Sequence, residues 1–205
     1  FAVIALILLL VCFFNIEERV VIEAAKTQKV SVGQNLKALF SNQYWAICLG
    51  LWGFMVMMST VTGTIETYYC KYILGNESLY SPIYAAELIA QSIVVLIVPH
   101  FVLRFGKRNL TLSGIVLVIA AQLVWMAAPM SVPVAMVSAV LRGIGVAPLW
   151  ACVFPMIADS AEFGQWKPHV RQDGMIFSAA SVGSKLGGGL ASAGIGLLMD
   201  SVGYN

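Results

Sequence analysis

The chain has 205 residues, of which 60% are apolar and 11% charged, and its formal net charge is +2. Soluble domains average roughly 25% charged residues, so this composition excludes an ordinary water-soluble domain and points to a solvent that is partly lipid. The same figures exclude nucleic-acid binding, collagen and disorder, each of which needs more charge or more repeat.

Phe1 opens inside an apolar run with no initiator Met, basic n-region or cleavage site, which does not read as a signal peptide. The end, Gly203-Tyr204-Asn205, stands where another apolar segment would begin. The expectation is an internal piece of a longer polytopic protein. A bilayer core about 30 Å thick needs about 20 apolar residues in a helix. Residues 1–14 form a truncated span, and whole spans are expected at about 44–74, 82–103, 110–130, 132–158 and 175–199. The runs are continuous rather than alternating, which favours helices over a barrel. The fold class is therefore all-α integral membrane.

The 15–43 connection is the one long polar segment. Glu17, Glu18, Arg19, Glu23, Lys26 and Lys29 alternate in sign, while Leu36, Leu39 and Phe40 supply an apolar edge. It suits an interfacial linker between two helical halves, or a plain solvated tether. In the 44–74 span, Glu66 sits two or three turns from the nearer surface, within Glu66-Thr67-Tyr68-Tyr69-Cys70-Lys71-Tyr72. Either a gate residue or an ion pair fits it. Asn76-Glu77-Ser78 matches a glycosylation sequon, for which chance is the better explanation. Glu87 lies in the next span, and Arg104, Lys107 and Arg108 surround the following turn.

The 132–158 span carries Arg142, Gly143, Gly145, Pro148, Trp150 and Phe154. Charges within a bilayer are expensive and face protein or water. Arg142 is suited to pairing with Glu66 or Glu87. Proline frees a carbonyl and often borders a cavity. Trp150 and Phe154 share a face at i, i+4, and an indole offers a flat apolar surface plus one N–H donor. Most aromatics in such spans are core or lipid-facing, and that reading stands beside a substrate-binding one.

The 159–174 connection is the densest polar cluster: Asp159, Glu162, Gln165, Lys167, His169, Arg171 and Asp173. Asp159 and Glu162 stand one turn apart and need basic partners, for which Arg171 and the Arg104/Lys107/Arg108 turn are available. A salt-bridge lock is one reading and a solvated loop the other. In the 175–199 span, Lys185 lies ten residues deep, with Ser181 one turn before and Gly189 and Ala193 after it on the same face. It fits a transport pathway or a buried ion pair. Gly183, Gly187 and Ala191 form a small-xxx-small ridge for close packing. Ser184-Lys185-Leu186-Gly187 lacks the order of a phosphate loop.

Basic residues separate by side: nine lie in the 15–43, 104–109 and 159–174 connections, and only Lys71 flanks the alternate ones. By the positive-inside rule the first set is cytoplasmic and Asn76 and Tyr204 lie outside. Cys12, Cys48, Cys70 and Cys152 are scattered through apolar stretches and suggest neither a disulfide frame nor a metal site.

Asp159-Ser-Ala-Glu162-Phe163-Gly164-Gln165-Trp166-Lys167, then Arg171-Gln172-Asp173-Gly174, resembles a signature of the glycoside–pentoside–hexuronide:cation symporters, the melibiose-carrier-like family within the major facilitator superfamily. Phe177-Ser178, Lys185-Leu-Gly187-Gly188-Gly189, Glu18-Arg19-Val20 and Tyr68-Tyr69-x-Lys71-Tyr72-x-Leu74-Gly75-Asn76 add to the likeness. Pro168-His169 departs from the usual Thr-Gly. The resemblance implies six spans, the first truncated, of an expected twelve. Residues 1–14 would end the amino-terminal half, 15–43 form the cytoplasmic middle loop, and 44–205 supply five of six carboxy-terminal helices. It implies cation-coupled symport of a sugar or glycoside by alternating access, in a cell membrane, with lipid and the amino-terminal half as partners.

The resemblance puts Trp150 at the sugar cavity and Lys185 near the cation site; with Phe154 and Ser181 they are the expected substrate-binding residues, Lys185 linking substrate to the coupling cation. Asp159, Glu162, Arg171 and Arg104 form the cytoplasmic gate. No cofactor is expected beyond Na⁺, H⁺ or Li⁺, bound mainly by the absent half. Lipid or lysophospholipid transport is a related alternative, and a non-transporting scaffold or sensor a more distant one. No nucleophile–base pair or metal-ligand set suggests an enzyme.

Overall fold

In the computed structural model of the chain the described residues are 2–15, 33, 40–166, 173–201 and 203; the side chains at 2, 161–176, 178 and 179 lie outside the description. The 15–43 connection falls almost wholly outside it. The chain forms two compact units, residues 1–34 and 35–205. In the first, helix α1 (Ala2–Asn15) closes with Asn15 Nδ2 donating to the Val11 carbonyl at 2.8 Å.

The second unit contains α2 (Gln43–Tyr72), a short 3₁₀ turn (Glu77–Leu79), α3 (Tyr80–Phe105), α4 (Lys107–Ala127), α5 (Val132–Trp166) and α6 (Asp173–Ser201). Four spans are long and apolar enough to cross a membrane by length and composition: 43–72, 77–105, 107–127 and 132–160. The 29-residue α6 is long enough as well, but seven glycines and five serines dilute its apolar character. The outward faces are apolar; Leu103, for example, is 89% uncovered. Such faces are stable against lipid or further apolar helices rather than against water. The chain is a multi-pass membrane protein.

The helix ends follow from local chemistry. Asn42 caps α2, its side chain accepting from the Trp45 N–H at 3.2 Å, which satisfies a donor the helix itself cannot pair. Its amide nitrogen donates to the Ser160 carbonyl at 2.7 Å, fastening the start of α2 to the far part of α5. Asn76 caps the 3₁₀ turn by accepting from the Ser78 N–H at 3.0 Å, so the sequon asparagine has a structural role. At Gly106, φ is +78°, a conformation that glycine adopts without a side-chain penalty; it separates α3 from α4.

Helix α5 is central: it packs against α4, α3 and α2, while α6 packs chiefly on α2. Glycines permit the closest crossings. A Cβ on Gly114 of α4 would stand 2.5 Å from the Gly145 carbonyl oxygen of α5, and one on Gly187 of α6 would stand 2.5 Å from that of Gly53 on α2. Gly143 of α5 lies similarly close to the Glu87 carbonyl of α3. Where lipid supplies no hydrophobic drive between helices, such backbone approach is how they gain contact. The Gly183-Gly187-Ala191 ridge thus packs on α2.

Helix α5 extends eight residues beyond the expected span, to Trp166. Its 35 residues span about 52 Å at 1.5 Å per residue, well beyond a 30 Å hydrocarbon core. The Asp159–Glu162 stretch, read from the sequence as the start of a connection, is still helical.

Candidate functional site

Helices α2, α3, α4 and α5 line a partly open cavity of about 610 Å³. Much of its wall is apolar, including Phe54, Met58, Ile115 and Val118. Polar groups reach it from three helices: Ser59, Thr62 and Glu66 from α2, Tyr80, Tyr84, Glu87 and Gln91 from α3, and Arg142 from α5. These positions follow helical spacing. Residues 59, 62, 63 and 66 step along one face of α2, and 80, 84, 87 and 91 along one face of α3.

Three of these groups form a buried charged cluster. Arg142 is 3% exposed and Glu66 2%. Arg142 Nη2 donates to Glu66 Oε1 at 2.9 Å and also to Glu87 Oε2. The sequence reading offered Glu66 or Glu87 as partners; one guanidinium nitrogen engages both. The guanidinium carbon stands 5.9 Å from the Trp125 ring centroid, and Trp125 in turn packs edge-on against Tyr69 at 4.8 Å. Burying these charges is tolerable because each has a partner. The match is incomplete, since Glu66 Oε2 and Arg142 Nε are buried without a hydrogen bond.

Trp150 lines the same cavity, two turns along α5 from Arg142 and about 12 Å away along the axis. Its ring meets Trp52 edge-on at 5.2 Å, and Trp52 meets Phe154 at 4.9 Å. Trp52 is buried in the core with Trp45, Met55, Val153 and Ile157, and fixes the indole of Trp150 from behind. The cavity therefore offers an aromatic wall at one level and a hydrogen-bonding, charged wall at another. A largely apolar wall with a few convergent polar groups is the usual composition of a small-molecule site.

The other expected site residues stand apart from this hollow. Phe154 flanks Trp52 but does not line the cavity. Ser181 and Lys185 lie on α6, uncovered by this chain and outside the cavity wall. No ion-pair partner of Lys185 is found among the described residues. At the basic end of the bundle, Asp159 is held by Lys107 at 2.6 and 2.8 Å. Of the Arg104/Lys107/Arg108 turn offered as a source of partners, Lys107 is the residue that meets Asp159, while Arg104 lies over the Phe105 ring at 5.4 Å. The reason is the Gly106 turn: it leaves Arg104 on α3 and starts α4 with Lys107, and α4 runs along α5. The side chains of Glu162 and Arg171 lie outside the described residues.

Sequence reasoning passed over Trp52, Ser59, Thr62, Tyr80, Tyr84 and Gln91. A signal for Gln91 existed: an amide in an apolar span, one turn from Glu87 on the same face. Tyr80 and Tyr84 also stack at i, i+4, 5.6 Å apart. Among the described residues no group of three or more His, Cys, Asp or Glu is arranged to hold a metal.

Comparison with known proteins agrees with this architecture. The family described as MFS/sugar transport protein matches residues 1–205. The isoprimeverose transporter of Lactiplantibacillus pentosus is 33% identical over 99% of this chain and 42% of its own length. The glucuronide carrier protein homolog of Escherichia coli strain K12 is 26% identical, over 96% of this chain and 44% of that protein. A putative sulfoquinovose importer of Salmonella typhimurium is 24% identical, over 94% and 41%. The chain thus spans less than half the length of these relatives. With a family match along its whole length, an all-helical membrane bundle and relatives of this kind, the chain belongs to the MFS/sugar transport proteins, in their glycoside–pentoside–hexuronide branch.

Proposed function

We propose that the protein containing these helices is a secondary active transporter that carries a sugar or glycoside together with Na⁺, H⁺ or Li⁺ by alternating access. Two helical halves would rock about a midplane site, and each ligand would favour the state the other favours. The observation that carries this reading is the cavity: Trp150 and the Glu66–Arg142–Glu87 cluster open into one hollow inside apolar helices. A pyranose has an apolar face and a rim of hydroxyls, which suits an indole beside carboxylates, an amide and hydroxyls. The naming of relatives as sugar or glycoside carriers supports the same class of cargo.

In this account Trp150 stacks on the sugar ring, and Phe154 supports it through Trp52. Ser181 and Lys185 act from α6, whose uncovered face is available to the amino-terminal half of the protein. Lys185 there links substrate to cation-binding carboxylates. Asp159, held by Lys107, joins Glu162 and Arg171 in a gate at the basic end, which is cytoplasmic by its charge. Lipid surrounds the bundle, and nucleic acid has no part.

The test is uptake by the full-length protein in membrane vesicles, using labelled isoprimeverose, a glucuronide, sulfoquinovose and a lysophospholipid, with and without Na⁺ or pH gradients. Accumulation of one sugar, driven by a cation gradient, is expected. Transport of the lysophospholipid alone, or of nothing, would overturn the reading.

A further inference from the structure

The charged cluster in the cavity wall contains two carboxylates and one guanidinium. With every group ionised its net charge is −1, buried among Trp125, Tyr69 and the apolar faces of four helices. An uncompensated charge in such surroundings is costly, and groups so placed neutralise rather than remain charged. Neighbours offer little relief. The titratable groups near the carboxylates are Cys70 on α2 and Tyr80 and Tyr84 on α3, none of them cationic. The aromatic face of Trp125, from α4, meets the guanidinium rather than the carboxylates.

Two further observations point to a ligand. Glu66 Oε2 is buried with no hydrogen-bond partner, although its other oxygen is held by Arg142. The Glu87 carboxylate is less enclosed, with 13% of its side chain exposed against 3% for Glu66, and both residues line the cavity. A metal cation at this point would stand beside the Arg142 guanidinium and be repelled by it. A proton meets the same repulsion but needs only one carboxylate oxygen, where a metal ion needs a shell of ligands for which no group of three or more His, Cys, Asp or Glu is arranged among the described residues.

We propose that Glu66, Arg142 and Glu87 form a proton-binding site in the wall of the cavity, holding one exchangeable proton between the two carboxylates. Cavity water delivers the proton through Glu87, and the cluster passes from net −1 to neutral. The proton belongs to the pair of carboxylates rather than to either alone. The proposal rests on the transport reading only for its consequence: proton occupancy rises and falls with access to the cavity, so this half contributes a coupling ion of its own.

An infrared pH titration of the purified full-length protein tests the site without reference to any cargo. The wild type should show a carboxylic-acid C=O band, growing as pH falls, that is missing from both Glu87→Gln and Glu66→Gln, since either change leaves one carboxylate matched to one guanidinium. A wild type without a buried carboxylic-acid band at any pH, or variants whose titrations superimpose on it, would overturn the proposal. A transport arm reads the consequence. An inward pH gradient should drive sugar accumulation by the wild type and not by Glu87→Gln. Wild-type accumulation by Glu87→Gln contradicts the site. If the wild type carries no sugar, the transport reading fails while the infrared result still decides the site.

Discussion

Arg142 Nη2 reaches Glu66 Oε1 at 2.9 Å across 76 positions of sequence, joining the first third of α5 to the last third of α2. The same nitrogen also holds Glu87 of α3, so one guanidinium ties three helices together. Removal of the guanidinium leaves two carboxylates buried and unmatched, a change that typically costs about 3–5 kcal/mol. Arg142→Met in the full-length protein should therefore lower the thermal unfolding midpoint sharply and reduce the fraction recovered as a monodisperse species. The double change Glu66→Gln with Arg142→Met should recover part of that loss.

The α2–α6 crossing makes a contrasting pair of variants. A Cβ on Gly187 would meet the Gly53 carbonyl oxygen at 2.5 Å, whereas at Gly189 it would meet nothing within 4 Å. Overpacking costs roughly 1–3 kcal/mol. Gly187→Val should destabilise the protein by about that amount in a thermal unfolding assay, with Gly189→Ala close to wild type. Equal effects would mean that the two helices do not cross there.

Lys107 and Asp159 are both partly exposed, at 34% and 57% of their side chains. Exposed pairs contribute roughly 0–1 kcal/mol and weaken with salt. Asp159→Asn should thus leave the unfolding midpoint nearly unchanged while altering the rate of sugar exchange. Exchanging the two charges, Lys107→Asp with Asp159→Lys, should restore that rate if the pair forms part of the gate.

Lys185 has no ion pair among the described residues and is uncovered by this chain. Lys185→Ala should leave membrane insertion and thermal stability intact and abolish cation-coupled sugar uptake. Full coupled uptake by that variant would remove Lys185 from the mechanism.

Much of the fold was legible because lipid imposes simple rules. Continuous apolar runs located the spans, and the glycine ridge of α6 identified a packing face before its partner, α2, was known. The charged cluster was readable in part, since Arg142 required an anion and few lay at a suitable depth. What sequence alone did not provide was the register between helices. Lys107 rather than Arg104 meets Asp159 because of how the chain turns at Gly106. Ser59 and Thr62 become site candidates only because α2, α3, α4 and α5 share one hollow. The expected span of 132–158 agrees with the apolar stretch of 132–160, but apolar runs mark only where lipid begins and ends, and the helix itself continues to Trp166.

The role of Trp150 is open to a graded test. Aromatic contact is worth about 0.5–1.5 kcal/mol beyond burial, and tenfold in affinity corresponds to about 1.4 kcal/mol. Trp150→Ala should raise the Kd for the transported sugar by up to about tenfold, and Trp150→Phe by less, both with unchanged protein yield.

The most direct measurement of whether the hollow between α2, α3, α4 and α5 holds the sugar is substrate protection at its wall. Ser59 lines that hollow, and Ser59→Cys in the full-length protein supplies a thiol for a small permeant maleimide, with the Ser59 parent as background. Saturating sugar should slow the labelling several-fold. An unchanged labelling rate, in a variant that still transports the same sugar normally, would contradict the placement of the site.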